Sequence, residues 1–271
     1  MSAIDLNRLK SQISGLVDSY QDPQAFSQAF HKLLGFYHRY SHRPNADAIP
    51  KTFMRTYDLP DQVVRQVELG LKQPAQDAPE ATLALVRFFW QEPYFESRDM
   101  ATFLLGQLPI NYAGTVKETI FEWLSKTVDR AVVQSIFSKA TATLQSQEPG
   151  EWEDLVNQLL SHPEEKFQNY GLYAVAMIIE KRSLVDLPVL FKMLRPFIQV
   201  GSEALQTNLS KALKALAEST PHETAYLLKQ VLADTPGAAI ERRMRSYLSF
   251  FPEETATSLQ TAIKTHAVIN R

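Results

Sequence analysis

Cysteine is absent from all 271 residues. That excludes disulfides, thiolate zinc sites, iron–sulfur clusters and cysteine nucleophiles, and it fits a protein of the reducing cytoplasm. Glycine is scarce, with nine residues, too few for a fold built on many tight turns or for a glycine-rich phosphate loop. Long apolar runs are missing too. The longest, GLYAVAMII at 171–179, is about half of what a membrane span needs. The opening MSAIDLNRLK carries Asp5 and Arg8 and has no secretory apolar region. A cytoplasmic protein with no membrane partner is therefore expected. Neither sign of charge dominates, since 28 Lys and Arg face 30 Asp and Glu for a formal net charge of −2. The HExxH, GxSxG, Walker and DxDxDG motifs do not occur, so no cofactor and no metal is expected.

What the chain does have is proline, fifteen residues of it, and apolar residues at helical spacing. Leu83, Val86, Phe89 and Trp90 fall on one helix face, as do Leu205, Leu209, Ala212, Leu213 and Leu216. Sustained two-residue alternation, the mark of a strand, is not found. Prolines at 23, 60, 79, 93, 109, 149, 163, 188, 221, 236 and 252 punctuate the pattern. Proline suits a first helical turn because its missing N–H would be unpaired there anyway. Asp22, Thr220 and Thr235 stand before prolines as candidate caps.

About fourteen helices are predicted, over 4–19, 23–40, 60–72, 79–91, 94–107, 115–126, 128–146, 150–161, 163–181, 186–199, 202–219, 221–233, 237–250 and 252–267. Helix pairs arriving every ~35 residues point to an all-α fold, an α-solenoid of HEAT-like antiparallel pairs. The weakly periodic stretch 41–58 lies between an N-terminal helix pair, 1–45, and an array over 55–271 that is expected to form one continuous domain with that pair, and QSQEPG at 145–150 is a second hinge candidate. Leu105 is placed in the core.

Charge is uneven along the chain. Residues 1–60 hold seven Lys/Arg against five Asp/Glu, 61–180 nine against seventeen, and 181–271 twelve against eight. An acidic middle argues against one continuous phosphate-binding groove. Two local basic clusters remain. In HKLLGFYHRYSHR at 31–43, Leu33, Phe36, Tyr37 and Tyr40 sit at helical spacing, which assigns the aromatics to the core. Arg242, Arg243 and Arg245 near a helix start suit either an anion or a solvated face. His38 and His42 are four apart, without a carboxylate at ligand spacing except Asp47. The pairs Glu96/Asp99 and Glu164/Glu165 read as solvated helix surface, and Trp90, Trp123 and Trp152 as core.

Three strings resemble a known family. FFWQEPYFESRDMATFL at 88–104 places Trp90 at one helix end, then Glu96, Arg98, Ala101 and Leu104. TYDLPDQVVRQV at 56–67 and ALKALAESTPHETAYLL at 212–228 follow the same style. Together they resemble the HEAT-like alkylpurine DNA glycosylases (AlkD-type) over roughly 55–250. The resemblance implies a groove that holds duplex DNA, two tryptophans and a carboxylate against the deoxyribose, an arginine on DNA, and no base flipping. In KTVDRAV at 126–132, Asp129 matches the family's carboxylate, and as a first-turn helix residue it equally suits the helix dipole and its exposed amides. The first tryptophan position falls on Ser125, with Trp123 two residues away, and the arginine position on Asn169 and Tyr170. The second tryptophan position falls near Lys211. A carboxylate beside the sugar would stabilise the positive charge that builds as an N-glycosidic bond breaks.

Three functions follow. The first is a degenerate member of this superfamily that binds DNA through Arg87, Arg98, Trp123, Lys126, Arg130, Lys166 and Lys211. The second is an active alkylpurine glycosylase with Asp129 as its catalytic residue. The third is a scaffold that holds a protein partner in a concave groove and has no enzymatic activity.

Overall fold

Capping side chains and prolines start the helices. In the computed structural model, which describes residues 4–38, 52–180 and 186–269, the Asp5 carboxylate accepts N–H bonds from Asn7 and Arg8 and opens α1 (Leu6–Val17). Asp22 does the same through Gln24 and Ala25 for α2 (Pro23–His38). The chain continues with α3 (Asp61–Asp77), α4 (Pro79–Trp90), α5 (Phe95–Leu105), α6 (Ala113–Lys126), α7 (Arg130–Ser135), α8 (Ala142–Gln147) and α9 (Pro149–Leu160). It ends with α10 (Glu165–Glu180), α11 (Leu187–Val200), α12 (Gln206–Ser219), α13 (Pro221–Asp234), α14 (Ala238–Tyr247) and α15 (Glu253–Ile269). Among the described residues no strand forms, and a lone parallel bridge pairs Arg55 with Tyr94. No helix of the described residues is long and apolar enough to cross a membrane.

The chain forms two compact units, Met1–Trp152 and Glu153–Arg271. In the first, α1 packs on α3, α2 on α4, α3 on α5 and α5 on α7. In the second, α10 packs on α12, α11 on α13, α12 on α14 and α13 on α15. Within each unit several helices therefore meet the helix two places along, and sequence neighbours such as α4 and α5 pack closely as well. The division after Trp152 falls inside α9, just past the hinge candidate at 145–150. The N-terminal helix pair packs within the first unit, α1 on α3 and α2 on α4. His42, Asp47, Tyr40, Arg39 and Arg43 lie outside the described residues.

Several expectations need correction. Thr220 does not cap α13, because its hydroxyl turns back to the Leu216 carbonyl at 3.2 Å. Thr235 ends α13 instead of opening α14. Helix α3 runs through Pro74 to Asp77, past its predicted end at 72, because Ala75 beyond the proline is buried in the core. The single helix expected over 128–146 is broken into α7, a turn of π-helix at Ile136–Ala140, and α8.

The break has a packing cause. Gly106, just past α5, lies so close to the π-turn that a Cβ there would sit 1.9 Å from the Lys139 carbonyl oxygen. Thr143 Oγ1 donates to the Gly106 carbonyl at 2.6 Å and locks the approach. The widened turn also sends Lys139 inward, with its Nζ 2.6 Å from both Asp99 Oδ2 and Glu68 Oε1. Ser135 Oγ donates to Asp99 Oδ1 at 2.5 Å. Burial works against the ammonium, but the Asp99 and Glu68 charges win and raise the Lys139 pKa. Asp99 is only 9% exposed and Glu96 only 8%, so neither is the solvated surface that was expected. Glu164 and Glu165 are exposed.

Arg243, from the second basic cluster, is spent on structure. It donates to the Gln199 carbonyl at 2.7 Å and lies over Gly201, which ends α11 in the left-handed region at φ 67°. In the first cluster Tyr37 is buried, and Phe36 lies under the Arg8 guanidinium at 4.2 Å. Trp90, Trp123, Trp152 and Leu105 are all buried.

Two substitutions test this packing by denaturant unfolding. Gly106→Ala must push the Lys139 carbonyl aside and is expected to cost about 1–3 kcal/mol. Leu105→Ala opens a cavity and is expected to cost about 2–5 kcal/mol. A loss under ~0.5 kcal/mol at both positions, the scale of neutral surface changes, would contradict the packing of α5 on the π-turn.

Candidate functional site

Asp129 is the residue that immediately precedes α7, and its geometry is that of a helix cap. Oδ1 accepts the N–H groups of Ala131 at 2.9 Å and Val132 at 3.2 Å, two donors that a helix start leaves unpaired. Oδ2 accepts from Thr52 Oγ1 at 2.7 Å and the Phe53 N–H at 2.8 Å. A carboxylate has about four lone-pair sites, and all are in use. Burial pushes the Asp129 pKa up, but the Thr52 hydroxyl and the three N–H groups outweigh it and hold the carboxyl below its ordinary value.

A second carboxylate holds the other end of the same segment. Glu96, in the first turn of α5, accepts at Oε1 from Thr56 Oγ1 at 2.6 Å and from the N–H groups of Tyr57 at 2.8 Å and Asp58 at 3.1 Å. Its other oxygen is buried without a hydrogen-bond partner. The segment TFMRTYD at 52–58 thus repeats one device, a threonine hydroxyl and the next N–H on one carboxylate oxygen. The Phe95 N–H donates to the Arg55 carbonyl at 2.8 Å between the two anchors. His38 Nδ1 donates to the Tyr57 carbonyl at 2.6 Å.

Beside this segment lies a polar relay. His31 Nε2 is 2.8 Å from Glu92 Oε2, and His31 Nδ1 is 3.1 Å from the Tyr57 hydroxyl. Glu92 also accepts from Ser27 Oγ at 2.5 Å and from Ser97 Oγ. Burial raises the Glu92 pKa, and its hydrogen bonds from His31, Ser27 and Ser97 more than reverse that. Burial, with Tyr94, Glu96 and Glu92 nearby, pushes the Tyr57 hydroxyl up to about 12. Tyr57 therefore stays protonated, and the Glu92 carboxylate accepts from His31 Nε2.

Arg98, which feels the Asp129 charge, meets a pair of aromatic rings. The indoles of Trp90 and Trp123 stack at 3.8 Å, 6° from parallel. Arg98 lies over Trp90 at 5.1 Å, its Nε buried without a partner. Burial lowers the Arg98 pKa, and the Asp129 charge opposes that. Trp123 is 3% exposed and Asp129 7%, so neither offers a free face to a nucleotide. Of the other candidates, Arg87, Lys126 and Arg130 are exposed, and Lys126 pairs with Glu122 at 2.6 Å. Lys166 and Lys211 belong to the second unit, where Lys166 lies 5.9 Å from the Phe167 ring and 5.8 Å from the Tyr170 ring. Asn169, where the resemblance would place an arginine, accepts from Asn208 at 2.9 Å.

No protein-family model matches this chain, and no curated protein matches it.

Sequence reasoning reached Asp129, Arg98 and the tryptophans. It missed Thr52, Thr56 and Glu92, gave His31 no role beyond a basic cluster, and read Glu96 as solvated surface. The Thr-aromatic repeat in TFMRTYD was the available signal, but it names no carboxylate.

The cap and the anchor separate by substitution. Asp129→Asn keeps a good capping oxygen and loses the second acceptor, while Asp129→Ala loses both. Asp129→Ala is expected to cost about 0.5–2 kcal/mol for the cap and a further ~1–3 kcal/mol for the stranded donors, with Asp129→Asn in between. The pH dependence follows from the same bonds. Asp129 and Glu92 both have folded pKa values below their ordinary ones. Their stabilisation is therefore complete above the unfolded carboxylate range, about 3.9–4.3, and is lost as pH falls through the folded values. Urea midpoints should drop between pH 5 and pH 2 on this account, less steeply in Asp129→Asn. Parallel profiles would show that Asp129 is not held as described.

Proposed function

We propose that this chain is a HEAT-like helical-repeat protein, resembling the alkylpurine DNA glycosylases, that binds duplex DNA and does not release bases. The observation that carries this reading is the saturation of Asp129. Stabilising a sugar oxocarbenium requires a carboxylate oxygen turned toward the sugar, and both oxygens of Asp129 are turned toward α7 and segment 52–53. The stacking of Trp123 on Trp90 supports the same conclusion, because a wall for the deoxyribose needs an open ring face. The packing of helices two apart within each unit supports a repeat architecture. Within the first unit, exposed Arg87 and Arg130 supply cations for phosphates. An active glycosylase using Asp129 is the reading these contacts disfavour.

The test combines two measurements on a methylated duplex. The expected result is binding that weakens steeply between low and moderate salt, with no base released beyond the uncatalysed rate. Release of alkylpurine that Asp129→Asn abolishes would establish the enzyme instead. Failure to bind duplex at low salt would leave the protein-scaffold reading in its place.

A further inference from the structure

Phe53 is 96% exposed and Val128 81% exposed, and they are the two most exposed large apolar side chains among the described residues. Asp129 brings them to one place. The Phe53 N–H is bonded to Asp129 Oδ2 at 2.8 Å, and Val128 is the residue before Asp129 in the chain. An aromatic side chain left in water forgoes the largest stabilisation a residue can gain by burial. A loose loop would turn it inward, but this backbone is not loose. Segment 52–58 is held by Asp129 at one end, by Glu96 at the other, and by the Arg55–Phe95 bond between them. The apolar tip is therefore presented on a rigid support, and ordering it on binding costs little.

The charge around the tip has a consistent sense. Arg55 lies two residues after Phe53, and Arg130 lies two residues after Val128. Both are exposed, and neither forms an ion pair with another described residue. Of the acids in these elements, Asp129 is turned inward to its four bonds and Glu96 to residues 56–58, while Glu122 is exposed and pairs with Lys126 on the surface. Asp58 is exposed at the far end of the segment. A rigid aromatic flanked by arginines that point to solvent matches a nucleic acid, whose phosphates pair with guanidinium groups and whose bases stack on or part around an apolar wedge.

We infer that Phe53, with Val128 in the same exposed tip, is a wedge that enters the base stack of duplex DNA while Arg55 and Arg130 hold the flanking phosphates. This rests on the DNA-binding reading above and adds the contact that reads the duplex. A wedge of this kind favours sites that are already weakly stacked, such as mismatches, because parting the bases costs less there.

The experiment is a titration of a mismatched duplex carrying 2-aminopurine beside the mismatch, followed by fluorescence and by binding at several salt concentrations. The wild-type protein is expected to raise the fluorescence as the probe unstacks. Phe53→Ala should abolish that rise and weaken binding by about tenfold or more. Its thermal midpoint should stay at the wild-type value, since the removed ring is in solvent. Arg130→Gln should keep the rise and lower the slope of log K against log salt by about 0.9. If the wild type binds the duplex while Phe53→Ala matches it in affinity and fluorescence, the wedge is wrong and the DNA-binding reading stands. If the wild type does not bind at low salt, the DNA-binding reading fails and takes the wedge with it.

Discussion

A buried carboxylate must have its charge met by hydrogen bonds, or it gives up the charge. Asp129 meets this demand with four donors drawn from two places in the sequence, the start of α7 and a segment more than seventy residues earlier. The rest of the local structure depends on that arrangement. It fixes where α7 begins, ties residues 52–53 to that point, and leaves Phe53 and Val128 facing water. It also removes the group whose chemistry the resemblance to the glycosylases would require. One side chain thus decides both where a helix starts and where segment 52–53 is held.

The charges around it follow the same logic. Glu96 and Asp99 lie on one short helix and both are turned inward, Glu96 toward residues 56–58 and Asp99 toward Ser135 and Lys139. Each buried acid has donors supplied by a different element, so these groups join α5 to its surroundings by direction-specific bonds as well as by apolar contact. Apolar burial supplies the bulk of the driving force. The polar bonds set register, because a shift of one residue along α5 would strand several donors at once.

Local patterns in the sequence were enough for most helices. The proline-marked starts of α2, α4 and α13 lie where the spacing placed them, and the buried faces of α4 and α12 carry the residues read as apolar stripes. What escaped was set by distant partners. The break inside 128–146 arises from Gly106 pressing on the Lys139 carbonyl, a contact that spans over thirty residues and leaves no periodic trace. Glu96 and Asp99 look like ordinary surface acids until segment 52–58 and Ser135 arrive to bond them. Asp129 stood out as a carboxylate near a helix start, yet the threonine and amide that claim its second oxygen belong to a stretch with no helical pattern. The exposed Phe53 was invisible for the same reason, since exposure is a property of the fold around it.

The claim at the centre of this account is that Asp129 holds the backbone of residue 53. Amide hydrogen exchange at Phe53, compared between the wild type and Asp129→Asn at one pH, tests it most directly. The account predicts slow exchange at Phe53 in the wild type and loss of that protection in the variant, while Tyr57 and Asp58, held by Glu96, stay protected. A Phe53 amide that exchanges freely in the wild type would contradict it, because the carboxylate would then have an oxygen to spare.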